Sequence, residues 1–216
     1  MKHNWLKTIY INYKLLPFKQ AVRLPFVVIG GLRIVRISGK VKLLANKLYP
    51  GMIKIGSQGS DMFPRTESVL SLEGLILINS TLVVGTGSSI ISKSGSKIIF
   101  GPNTILGAHN LVFCEKEISF GEDFLSSWDC QFMDTDTHSI WDTNTGVKNK
   151  SVNPISVGNH VWIGNGVTIN KGTILPTNTI VASQSLCNKD YSEIGQGCII
   201  AGMPAKVVSN NKRWGL

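Results

Sequence analysis

From Val157 onward the chain divides into units of six: VGNHVW, IGNGVT, INKGTI, LPTNTI, VASQSL and CNKDYS. The first column, Val157, Ile163, Ile169, Leu175, Val181 and Cys187, is apolar throughout. The fifth, Val161, Val167, Thr173, Thr179, Ser185 and Tyr191, is mostly small or β-branched, and the columns between collect Gly, Asn, Lys and Pro. This spacing fits neither a helix nor an alternating strand. Each unit reads as a short extended piece with an inward side chain, followed by a turn. A six-residue period is the mark of a parallel β-helix, in which three units close a coil of about 18 residues. A single coil cannot bury its apolar face alone, so coils must stack. Residue 163 is then expected under 181, and 164 under 182.

The same columns recur upstream with slips: VGTGSS and IISKSG from Val84, FGPNTI and LGAHNL from Phe100, and FGEDFL, SSWDCQ and FMDTDT from Phe120. Cys130 falls in a fifth column, where a small buried thiol belongs. The pattern then breaks. HSIWDTNTGVKNKSVNPI does not fit, and the columns resume only at Val157, so residues 138–156 are expected to be an excursion from the solenoid. An excursion of that length without its own pattern carries function or is disordered. The expected organisation is an N-terminal basic, aromatic appendage or cap over 1–50, a β-helix over 51–203, and a short C-terminal tail over 204–216.

Composition agrees with a folded β-rich chain: 43% hydrophobic and 16% charged residues, with 22 glycines among 216. The net charge of +9 leaves nucleic acid, an anionic membrane and a phosphate-bearing small ligand open. Much of it lies in the first fifty residues, where Lys2, Lys7, Lys14, Lys19, Arg23, Arg33, Arg36, Lys40, Lys42 and Lys47 are interleaved with Trp5, Tyr10, Tyr13 and Phe18. That segment fits either an amphipathic surface helix or a solvated face over a core. No apolar run is long enough to span a bilayer, and no signal-peptide pattern follows Met1, so a cytoplasmic protein is expected. Cys114, Cys130, Cys187 and Cys198 form no CxxC pair and have no histidine at zinc-ligand spacing.

DTDTHSI (134–140), NHVWIGNGVTINKG (159–172) and AGMPAKVV (201–208) resemble the hexapeptide-repeat O-acetyltransferases that act on maltose, galactosides and polysaccharides. The resemblance covers about residues 50–208. It implies a left-handed parallel β-helix, a homotrimer with active sites between subunits, acetyl-CoA as donor, a saccharide acceptor and a histidine base. His138 falls on the family's catalytic histidine. A neutral imidazole, with an unperturbed pKa near ~6.5, suits removal of a sugar hydroxyl proton. Asp134 and Asp136 are candidates to orient its ring or hold acceptor hydroxyls. Asp136 sits in a fifth column, an inward position in the repeat, so Asp134 or a backbone carbonyl stays open beside it as orienter. Asn110 is a candidate oxyanion donor.

For the donor, the resemblance places Trp162 beside the pantetheine arm. Gly164 and Ser183 stand on adjacent coils, where strand-edge amides reach it. Asn188, Lys189 and Lys206 lie near the adenosine and phosphates, giving part of the positive charge a use that needs no nucleic acid. Several relatives carry Thr-Lys where this chain has Asn188-Lys189, and Ile-Gly where it has Val181-Ala182. His160 follows Asn159 in a turn, at the surface or an interface. A carbonic-anhydrase-like zinc site would need a close histidine pair, whereas His109, His138 and His160 are widely spaced, so no metal is expected. A non-catalytic scaffold is the third class. The leading expectation is capsule or O-antigen acetylation, with peripheral contact at the inner membrane face; a soluble sugar, amino sugar or antibiotic is the alternative acceptor.

Overall fold

The computed structural model describes residues 3–57, 62–64 and 66–215. Among them, short strands stack into three sheets of nine, seven and six strands, every pairing parallel except the last strand of the first sheet. Consecutive strands go to successive sheets, so the chain winds as a triangular parallel β-helix. The expected register is present: Ile163 pairs with Val181, 18 residues on, and Ile169 with Cys187. Upstream coils are longer, pairing Leu106 with Ser126 and Phe100 with Phe120, which accounts for the slips in the repeat. The Phe100 and Phe120 rings stack at 5.5 Å, and Phe124 and Phe132 complete a buried aromatic column inside the coils.

The corners explain the polar columns. Asn103, Asp123, His160 and Asn178 stand at the corner between the third and first sheets with φ of 57°, 52°, 53° and 61°. Asn, Asp and His tolerate this left-handed turn better than other side-chain-bearing residues. Their side chains also link coils: Asn103 Nδ2 donates to Asp123 Oδ1 at 2.9 Å. Gly164 is required for a different reason. A Cβ there would come within 2.6 Å of the Ser183 amide nitrogen on the next coil, so the two backbones can pack only without a side chain.

The solenoid starts earlier than the boundary expected at residue 50. Phe26–Val28, Leu32–Ile37 and Lys40–Leu43 already form its first coil, pairing with Ile53–Ser57, Ser68–Leu72 and Leu75–Ile78. In Lys40–Leu43 the residues alternate exposed and buried, so Lys40 and Lys42 are outward strand positions. Among the described residues, the helices Trp5–Leu15 and Phe18–Ala21 precede this coil as a cap. At the other end, Ala205–Ser209 folds back antiparallel on Ile199–Gly202 and covers an edge that would otherwise offer unpaired strand groups. The chain then returns along the corner, where Trp214 stacks on His160 at 4.4 Å and donates through Nε1 to the His160 carbonyl at 2.9 Å.

Candidate active site

The excursion leaves the solenoid between the strands Gln131–Met133 and Ile155–Val157, at the corner joining the second and third sheets. It is a two-legged loop. Bridges pair Thr135 with Val152 and Trp141 with Lys148, and the Asp136 amide donates to the Ser151 carbonyl at 2.9 Å. At the tip, the Asp142 carboxylate accepts the amides of Asn144 and Thr145, and those bonds, Thr145's above all, hold its pKa below the usual carboxylate range. From Thr137 to Lys150 nearly every residue is exposed, so the loop has no core of its own.

His138 lies on the outgoing leg, exposed, with Nδ1 2.9 Å from the Thr137 hydroxyl. That hydroxyl sits 2.6 Å from the Asp136 carbonyl, to which it gives its single proton. With that proton committed, the hydroxyl accepts from Nδ1–H, the neutral tautomer in which Nε2 is the basic nitrogen. The orienting group is thus Thr137, relayed to a backbone carbonyl.

The two aspartates have other partners. Asp134 is fully buried, and its carboxylate accepts the amides of Glu115, Lys116 and Glu117, each at 2.8 Å, so it does not orient His138. It roots the outgoing leg on the preceding corner. The neighbouring Cys114 thiol is pushed up to about 12, first by burial and then by this carboxylate. Asp136 does not point inward; it forms an ion pair with Lys171 on the following coil. Lys171 also donates to the Lys150 carbonyl at 2.6 Å, clamping both legs of the excursion to the wall. Neither Lys171 nor Thr137 is among the residues expected from sequence.

Asn110 is also committed elsewhere. Its amide nitrogen donates to Ser126 Oγ at 2.7 Å and the Ser127 carbonyl at 2.9 Å, and its Oδ1 accepts the Cys130 amide at 2.7 Å. With both amide hydrogens used inside the coil, it cannot serve an oxyanion. Cys130 beside it is buried, its thiol pushed up to about 11 by desolvation, as a structural thiol requires.

Trp162 lies on the first sheet, in the outward row Val83, Ile105, Leu125 and Trp162, half-exposed and donating to Ser127 Oγ at 3.3 Å. This apolar wall continues into a hollow of about 300 Å³ lined by Met62, Phe63 and Trp128 among others. Gly164 and Ser183 stack on adjacent coils at the next corner. The Gly164 amide is not free for a ligand, because it donates to the Val181 carbonyl at 2.8 Å; what Gly164 offers is close approach to the backbone. Lys206 is exposed on the closing strand of the same sheet. Asn188 and Lys189 are exposed at the other corner, the one that carries the excursion, with Lys189 5.2 Å over the Tyr191 ring. The expected site residues therefore fall into two groups on one chain: Trp162, Gly164, Ser183 and Lys206 on one side, and His138, Asp136, Asn188 and Lys189 on the other. The second sheet lies between them. His109, His138 and His160 stand at three different corners, and among the described residues no group of three or more His, Cys, Asp or Glu is placed to hold a metal ion.

No protein-family model matches the chain. Over 126 residues it is 30% identical to the polysialic acid O-acetyltransferase of Escherichia coli O1:K1, spanning 58% of this chain and 40% of that relative's length. Among solved structures, the polySia-specific acetyltransferase NeuO superposes with a TM-score of 0.55 at 21% identity, covering 89% of this chain and 79% of that one. The strands thus build the expected left-handed β-helix architecture. By repeat, by fold and by this stretch of sequence, the chain resembles the hexapeptide-repeat O-acetyltransferases.

Proposed function

We propose that the chain transfers an acetyl group from acetyl-CoA to a hydroxyl of a saccharide, with His138 as general base. The observation that carries this is the exposed His138, held through Nδ1 at 2.9 Å from the Thr137 hydroxyl on a loop clamped by Lys171. Acetyl-CoA supplies an activated acyl thioester. His138 takes the proton of the acceptor hydroxyl as its oxygen attacks the acetyl carbonyl, and returns that proton to the departing thiolate. With Asn110 excluded, a backbone amide is the oxyanion donor. The likeness to a polysialic acid enzyme supports a polysaccharide acceptor of the capsule or O-antigen type.

The separation of the two residue groups supports a site shared between copies. In a homotrimer the excursion of one subunit would meet the Trp162 wall of the next, covering the exposed Ile140, Trp141 and Val147. His138→Ala is expected to reduce acetyl incorporation from acetyl-CoA into a sialic acid polymer or another capsular glycan by about 10²-fold or more, with the fold intact. Near-normal transfer by that variant sinks the proposal. If His138→Ala and Trp162→Ala are each weak alone, refolding the two together should restore part of the activity, because mixed trimers contain intact pairs. No recovery would place both groups in one chain's site.

A further inference from the structure

The helix Trp5–Leu15 is locked to the first coil by one face. Asn12 Nδ2 donates to the Phe26 carbonyl at 2.8 Å, its Oδ1 accepts the Phe26 amide at 3.1 Å, and Thr8 Oγ1 accepts the Val28 amide at 3.0 Å. Thr8, Ile11, Asn12 and Leu15 are buried there, so the helix cannot roll to hide its other side. That other side carries Trp5, Leu6, Ile9, Tyr10 and Tyr13, with Leu6 84% exposed. Phe18 of the next short helix, 71% exposed, extends the patch from 6.0 Å beyond Tyr13. A helix on a protein surface ordinarily turns charged and polar residues outward at these positions.

Charge is divided just as unevenly. Residues 1–60 contain eleven Lys and Arg and no Asp or Glu, a net charge of +11. The remaining residues hold eleven basic and all thirteen acidic side chains, a net charge of −2. Around the apolar patch, Lys14, Lys19 and Arg23 are exposed. We infer that this cap docks the protein onto an anionic bilayer surface, with its aliphatic and aromatic face in the headgroup layer and its cations against lipid phosphates. Trp and Tyr suit that interface, and an apolar face with flanking cations is what interfacial helices share. A nucleic acid would use the cations but gain little from Leu6, Ile9 and Phe18. No helix among the described residues is long and apolar enough to cross a membrane, so the contact is one that lies on the surface.

The inference is independent of the transfer chemistry and needs no activity to test. The full chain is sedimented with phosphatidylcholine vesicles, with and without phosphatidylglycerol. Partition onto the anionic vesicles, weaker in high salt and weak on neutral ones, is expected. Leu6→Asp with Phe18→Asp should lower it at least roughly tenfold. Lys14→Gln with Lys19→Gln should lower it about fivefold per charge, on anionic vesicles only. Circular dichroism checks each variant, and the charge pair, being exposed, keeps the test alive if the apolar pair unfolds. Absence of sedimentation, equal binding to neutral vesicles, or indifference to the charge pair overturns the inference. So does release from vesicles by an oligonucleotide, or a patch-dependent dimer in their absence.

Discussion

The coils from Val157 to Cys187 and the excursion from Asp134 to Asn153 are neighbours held by opposite means. In the coils, inward residues such as Val161, Ile163, Val167 and Ile169 are fully buried, and the strands Trp162–Ile163 and Thr168–Asn170 are paired above and below. Their stability is distributed, as in any stacked repeat. Beyond Thr135 the excursion buries almost nothing and depends on two polar anchors, Asp134 at its root and Lys171 across its legs. A wall built from repeats tolerates small changes but cannot place one side chain independently of its neighbours. A loop outside the repeat can, provided a few bonds fix it.

Breaking the root should have the largest effect on that contrast. Asp134→Ala leaves three backbone amides without their charged acceptor, a cost of about 3 kcal/mol or more. For a chain of this size the melting temperature should fall by roughly 6–12 °C in calorimetry, with transfer activity falling too. A shift under ~2 °C would show that the root bears no load. Cutting the clamp is the milder operation. Lys171→Met removes a partly exposed ion pair worth about 1 kcal/mol or less. Melting should barely change while kcat drops by about tenfold and KM for the donor stays constant, because the base is less well placed. Unchanged kcat would mean that the excursion needs no clamp.

What the sequence revealed follows the same division. Strict columns gave the register of the late coils, since one inward residue per unit leaves a countable trace. The first coil was hidden: its strand Leu32–Ile37 is bulged between Ile34 and Arg36, and its outward positions carry basic side chains that read as an appendage. At the site, the break in the pattern exposed the excursion and His138. Its supports were not legible. Lys171 reaches Asp136 from 35 positions away, a contact made only when coils stack. Asp134 and Asn110 are candidates for chemistry by residue type alone. Columns say which side chains turn inward but not that backbone amides already use their hydrogen-bonding capacity.

Thr137 supplies the finest comparison between wall and loop, because it acts on the histidine without bearing on the fold. Its hydroxyl accepts from His138 Nδ1–H only because its own proton is given to the Asp136 carbonyl. In Thr137→Ala that acceptor is gone. Neutral His138 can then place its proton on either nitrogen, and only the Nδ1–H tautomer leaves Nε2 basic. A loss of a few-fold in kcat/KM is expected at unchanged melting temperature. Thr137→Ser restores an oxygen at the same place and should recover most of the activity. If Ala and Ser behave alike, the hydroxyl does not set the tautomer, and the basic Nε2 must owe its state to a group brought by the acceptor or by a second subunit.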